Sequence, residues 1–392
     1  MSDMAEKLKE YCTVISGYAF KSKDLSEGTD IPVIKIGNIS NGKNVVMDDL
    51  TQYVNEEFLS VNEKYHIKNG DILISLTGSH MNQPNSMVGR CCRNLDDTIY
   101  LLNQRAGKII PNKSVDKDFL YYVFRLPSIQ YAIANRAYGG ANQVNVSPKD
   151  VMGIKFDIPD ITFQKKIANV LNAYDSLIQN NNKRIHLLEQ MAENLYKEWF
   201  VRFRFPGYEN VDFENGIPNG WAVEKVKKCV NRLPFNQLYK QNDLENEGSV
   251  IVIDQSSSDF LGFHNNEPSH YASIEKPIIL FGDHSCKFVL MIRDFSLGEN
   301  VVPFISFDEN LLDNYYLYYA VHKLIATEEY KRHWGRFMAM KIFIPQYHLQ
   351  KTFSDIVKPM LEEKQKLWNE NQLLIKQRDM LLPRLMSGKL DV

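Results

Sequence analysis

The sequence predicts an α+β protein built from one plan used twice: a domain of strands and helices followed by a long charged helix, then both again. Three observations predict it. First, FDIPDITFQKKIANVL (residues 156–171) and IFIPQYHLQKTFSDIV (residues 342–357) align without a gap at an offset of 186, matching Ile158-Pro159 to Ile344-Pro345 and Gln164-Lys165 to Gln350-Lys351. Second, a stripe recurs at sevens beyond each copy. It runs through Ile167, Tyr174, Asn181, Leu188 and Leu195 in the first, and through Phe353, Met360, Leu367, Leu374 and Leu381 in the second at the same offset. A seven-residue period marks a coiled-coil seam, and its duplication favours two helices that pack on each other over two solitary core helices. Asn181 in the seam is the kind of polar residue that fixes register, although a solvated Asn at a helix crossing fits the same pattern.

Third, strand-like runs precede each long helix. IPVIKI, GDILISL and RAGKIIP lead to a helix from Asp116 to Ala137, and KPIILFG and ENVVPFIS lead to one from Asp313 to Trp334. Strands without regular helical alternation argue for α+β and against a parallel doubly wound sheet. Pro159, Pro206-Gly207 and Pro345 set the boundaries: a first domain 1–160, a first helix 161–206, a second domain 207–345 and a second helix 346–392. Pro359 is expected to kink the second helix or delay its regular part.

Several functions are excluded early. No apolar run approaches the ~20 residues that span a bilayer, and residues 1–7 lack a signal peptide's apolar core, so a cytoplasmic location is expected. Five cysteines, Cys12, Cys91, Cys92, Cys229 and Cys286, are odd in number and form no C-x-x-C pair. They predict buried or incidental thiols, neither a disulfide framework nor a zinc site. IGNISNGKN (residues 36–44) reads G-x-x-x-x-G-K at Gly37, Gly42 and Lys43, but Asn44 stands where a Mg²⁺-holding Ser or Thr is needed. The segment predicts a strand and turn, not a phosphate loop. No N-P-P-Y or D-P-P-Y tetrad, glycine-rich cofactor loop or H-E-x-x-H is present. No catalytic residue, bound cofactor or metal is therefore expected.

ENLYKEWFVRFRFPGYE at the end of the first helix, GIPNGWAVEKV opening the second domain and the C-terminal LLPRLMSGKLDV resemble signature segments of one family, as do GDILIS, NQRAGKIIP and the I-P…Q start of each helix. That family is the specificity subunits of type I restriction-modification systems, and the resemblance spans the chain. It implies two target recognition domains in pseudo-twofold repeat, separated by two conserved helices that form an antiparallel coiled coil. Each domain would read one part of a split sequence in double-stranded DNA. Catalysis would belong to partners: methyltransferase subunits, two of them, using S-adenosylmethionine, and restriction subunits using ATP and Mg²⁺. Two departures are visible: the segment before the second helix is shorter, and the second domain shows no clear counterpart of IPVIKIGNISNGK.

Side chains that pair with base edges or phosphates select the candidate contacts. In the first domain these are Lys35, Asn38 and Lys43 on the early strand and turn, and Ser75, Thr77, Ser79, His80, Asn82 and Gln83 leaving a later strand. Arg105 follows in NQRAGK, and Arg136, Tyr138, Asn142 and Gln143 flank a glycine turn. In the second domain Lys331, Arg332 and Arg336 surround Trp334. For partner subunits the candidates are Trp199, Phe200 and Phe203, large apolar residues where the first helix ends, although closing a domain against its own helix would use them equally. The net charge of −2 is unevenly spread, with basic helices and an acidic second domain. Two other classes stay open, a coiled-coil scaffold without DNA contact and an autonomous DNA-modifying enzyme. Salt-dependent duplex binding separates the first, and methyl transfer only in the presence of a methyltransferase subunit separates the second.

Overall fold

Ile72-Leu73-Ile74-Ser75 is apolar on both faces, so a strand made from it must be covered on both sides. In the computed structural model the even positions Ile72 and Ile74 pack under helices while Leu73 faces a second sheet. The structure describes all residues except 1–4, 28–29, 41, 43, 48–49, 81–85, 141–142, 236, 257, 327–331 and 391–392. Contacts divide the chain into two units, Met1–Gln179 with Gln372–Val392, and Asn180–Asn371. Both long helices therefore contribute to both units.

In the first unit an antiparallel sheet has the order Cys12–Ser16, Ala106–Pro111, Ile72–Ser75, Cys91–Arg93. A second sheet has the order Gln52–Val54, Ile31–Ile34, Tyr100–Leu102, His66–Ile67, with a parallel pair between Ile31–Ile34 and Tyr100–Leu102. The helix expected from Asp116 to Ala137 is two, Lys117–Arg125 and Pro127–Ala134. Leu126 is extended between them, because the ring of Pro127 disfavours helical backbone in the preceding residue.

The second unit repeats this plan. Val230–Arg232, Val301–Ser306, Ile278–Gly282 and Phe288–Met291 pair in the same order, and Val250–Ile253 lies parallel to Phe295–Leu297 as Ile31–Ile34 does to Tyr100–Leu102. The second domain does hold a counterpart of IPVI, against expectation: it is VIVI, Val250–Ile253, with Asp254 at the place of Lys35. The helix expected from Asp313 to Trp334 ends at Val321, and Trp334–Ala339 forms a separate helix.

The repeated I-P…Q start has one structural job in both units. Gln164 Oε1 accepts the Asp116 amide (2.7 Å) and its Nε2 donates to Pro159 O (2.8 Å). Gln350 does the same with Asp313 (2.9 Å) and Pro345 (2.7 Å). Asp116 and Asp313 in turn cap the helices that follow them. A long helix is thereby fixed to the domain that precedes it.

The long helices run Ile161–Tyr196, continued by a π-helical turn Lys197–Val201, and Tyr347–Met386. Pro359 does not interrupt the second: it lies on the exposed side, where a missing amide hydrogen bond leaves no buried carbonyl stranded. Every predicted seam position is buried or half-buried. Asp175 with Arg378 (2.6 Å) in the first unit, and Asn182 with Asn371 (2.9 Å) and Glu189 with Lys364 (2.5 Å) in the second, show partner numbers falling as the first helix advances. The helices are antiparallel. A second stripe, Leu171, Ile178, Ile185, Ala192 on one helix and Val357, Lys364, Asn371, Arg378 on the other, completes the seam; its polar members hid it from a hydrophobic pattern.

Candidate nucleic-acid interface

Lys35 follows the strand Ile31–Ile34, and Arg105 follows the turn after Tyr100–Leu102, the strand paired with it. This parallel pairing brings the two cations near one another. Burial, and then the charge of Arg105, lowers the Lys35 pKa. Lys35 Nζ donates to Gln52 Oε1, and among the described residues no carboxylate lies within ion-pair distance of Lys35 or Arg105. Two neighbouring cations, with no balancing anion among the described residues, form a surface suited to a phosphate or to the acceptor edge of guanine.

The hairpin Tyr138–Gly139 with Val144–Asn145 is stitched onto Thr77–Gly78, so the segment after Thr77 and the glycine turn come together. Tyr138 and Gln143 are exposed there, with Arg136, whose Nη1 donates to Ala132 O (2.9 Å), at the foot of the hairpin. His80 is half-buried beside them. An exposed glutamine amide can pair with adenine, and an exposed phenol can stack or donate.

Several expected readers are braces instead. Asn38 is buried, with Oδ1 accepting the Lys35 amide (2.9 Å) and Nδ2 donating to Val46 O (2.9 Å) and Thr51 Oγ1 (3.0 Å), which leaves nothing for a base. Ser75 accepts the Arg90 amide (3.0 Å), Thr77 donates to Asn145 Oδ1 (2.7 Å), and Ser79 shares a bond with Ser86 (2.8 Å); all three are buried. Lys43, Asn82, Gln83, Asn142 and Lys331 lie outside the described residues.

In the second domain Trp334, expected among exposed cations, turns inward. The ring packs on Phe281, Phe304 and Phe337 with centroids 5.5–5.8 Å away, since a half-buried indole gains more from aromatic neighbours than from water. Arg332 points toward Asp283 (3.9 Å), and the exposed Arg336 donates to Ala326 O (3.3 Å). Sequence reasoning missed Lys287, which donates to Ser256 O (2.9 Å) and Ser258 O, as Arg90 Nη2 donates to Ile36 O (3.0 Å) in the first domain. Burial lowers the Lys287 pKa against the opposing pull of Asp254 and Asp259. Only the strand register, with Cys91 opposite Ile74 and Phe288 opposite Phe281, reveals the correspondence.

Trp199, Phe200 and Phe203 are not an open patch. Trp199 and Phe200 are buried, and Phe200 meets Tyr316 (4.7 Å) and Phe353 (5.3 Å) while Phe203 meets Trp221 (5.3 Å) and Phe343 (5.8 Å). They close the second unit's core. All five cysteines are buried, as expected. Among the described residues no cluster of potential metal ligands occurs, and no helix is long and apolar enough to cross a membrane.

Residues 2–190 match the family described as the type I restriction modification DNA specificity domain. The chain is 26% identical to the type I restriction enzyme MjaIX specificity subunit of Methanocaldococcus jannaschii over 74% of its own length and 73% of that protein's. It is 24% identical to the putative MjaX specificity subunit of the same organism, over 98% of this chain and 93% of the relative. Its fold is similar to the crystal structure of a type I restriction-modification S subunit from M. genitalium, with a TM-score of 0.54 and 15% identity over 97% of this chain and 95% of that one. With two domains of one topology and a pair of antiparallel helices to which both contribute, the chain is similar over its length to DNA specificity subunits of type I restriction-modification systems, and residues 2–190 match that family's DNA specificity domain.

Proposed function

We propose that this specificity subunit reads a two-part duplex target, one part with each domain, and positions partner subunits that carry the chemistry. The observation that carries the reading is the repetition of one fold with different chemistry at equivalent places: Lys35 in one domain, Asp254 in the other. Two copies of a scaffold with unlike surfaces suit two unlike half-sequences. The chain itself supplies no catalytic residue; methyl transfer from S-adenosylmethionine belongs to methyltransferase subunits, two per chain, and ATP-driven cleavage to restriction subunits. Phosphate contact from Lys35 and Arg105, and base contact from Arg105, Tyr138 and Gln143, form the first domain's share.

The test uses the complex with its methyltransferase. Gln143→Ala with Tyr138→Ala is expected to relax the methylated sequence in one half only. Lys35→Ala is expected to weaken duplex binding uniformly across sequences and to reduce the salt slope by about 0.9, the loss of one phosphate contact. A change in both halves from the loop variant, or duplex binding indifferent to salt, would contradict the reading.

A further inference from the structure

A groove of about 450 Å³ opens in the first unit between the start of the first long helix and the end of the second. Its apolar walls are Leu126, Phe156, Phe163, Pro383 and Met386, with Ser387 and Asp157 at the rim. The internal repeat identifies its counterpart. Strand pairing matches Phe156 to Ile342, and the offset of 186 matches Phe163 to Leu349 and Phe200 to Met386.

The counterpart is filled. Ile342, Leu349 and Phe200 are buried, whereas Phe156, Phe163 and Met386 are only half-buried. The difference comes from the chain that follows the first helix: Phe203 and Phe205 turn back onto Trp221 (5.3 and 5.5 Å between centroids), and Trp221 covers Phe200 (5.9 Å). In sequence, the offset of 186 matches Phe203 to Lys389 and Phe205 to Asp391, and the strand register extended back matches Trp221 to Asp3, none of them aromatic. Among the described residues, the aromatic plug of the second unit thus has no counterpart over the groove of the first.

We propose that this groove docks a peptide segment of a partner protein through aromatic side chains spaced like Phe203 and Phe205. A ring buries about 150–250 Å², and a groove of this size takes two. This inference concerns a protein partner and stands apart from DNA reading.

The probe is a synthetic peptide with this chain's own residues 201–213, VRFRFPGYENVDF, titrated into the intact protein and followed by fluorescence anisotropy. Saturable binding is expected. It should fall at least about tenfold when both phenylalanines of the FRF segment become alanine, and by a similar factor with Met386→Glu in the protein. Ser387→Trp, at an exposed position, should fill the groove and block the peptide without loss of folding, as checked by circular dichroism. Absence of binding, or binding unchanged by both protein variants, would overturn the proposal. Concentration-dependent self-association abolished by Met386→Glu would overturn it too, by assigning the groove to a second copy of this chain.

Discussion

Gln350 has no exposed surface, and its amide serves three backbone groups: it accepts from Asp313 and donates to Pro345 and Leu311. Gln350→Leu keeps the volume and strands all three. A buried polar group left without a partner costs about 1–3 kcal/mol, so urea denaturation should show a loss of at least that size for the second unit. An unchanged midpoint would mean that the repeated glutamine is incidental. The residue itself was legible, because it recurs at the offset of 186; its partner was not, since Asp313 lies far away in sequence. The same limit governs the interface. Asn38 and Gln143 are both amides in polar turns, yet Asn38 sits among Lys35, Val46 and Thr51 and is used up, while Gln143 is exposed. Composition cannot separate a brace from a reader, because the distinction lies in which backbone groups the fold brings within 3 Å.

The elements that fix the helices differ between the two units. In the first, Asp175 accepts from Arg93 (3.1 Å), Arg378 (2.6 Å) and Tyr122 (2.7 Å), all largely buried. The corresponding positions in the second unit are Leu361 for Asp175, Leu290 for Arg93 and Ala192 for Arg378, all within an apolar core. A buried ion cluster is often no more stable than the apolar packing that could replace it, but removing one member leaves uncompensated charge. Asp175→Leu alone should therefore cost about 3–5 kcal/mol, and adding Arg93→Leu and Arg378→Ala should recover most of it. A triple variant as unstable as the single one, by denaturant titration, would count against this account. The second domain carries a different sensitivity. His264 is buried, accepts the Asn266 amide at Nδ1 (3.1 Å) and stacks on Tyr239 at 4.2 Å, while His270 bonds Pro234 O (3.0 Å). Burial lowers both pKa values below the ordinary 6.5. The unfolded chain then binds more protons than the folded one below about pH 6.5, so the stabilisation is intact above that value and lost as pH falls through the folded values. Denaturation midpoints of the second domain should drop between about pH 7 and 5, and His264→Gln should flatten the fall.

At the scale of the molecule, duplication was the most legible feature, because a constant offset of 186 survives wherever packing demands the same residue type. The order of the strands in their sheets, the partners of the repeated glutamines and the pairing register of the two helices required the folded structure: the counterpart of IPVI is recognisable only by its parallel pairing, and the second stripe of the seam carries Lys364, Asn371 and Arg378. Each helix is continuous and takes part in both units, so if each domain reads one half-sequence, helix length sets the unread gap between them. The register offers a clean place to change it. One heptad inserted after Asn180 and another after Gln372 leaves Asp175 with Arg378 on one side, and Asn181 with Glu370 and Asn182 with Asn371 on the other. Seven residues add about 10 Å of helix, equal to about three base pairs of duplex. Sequencing of methylated sites in cells that carry this variant and its methyltransferase is the direct test. Both half-sequences unchanged and a gap longer by about three base pairs is the predicted result, whereas an active variant that still modifies sites with the original gap would contradict the account.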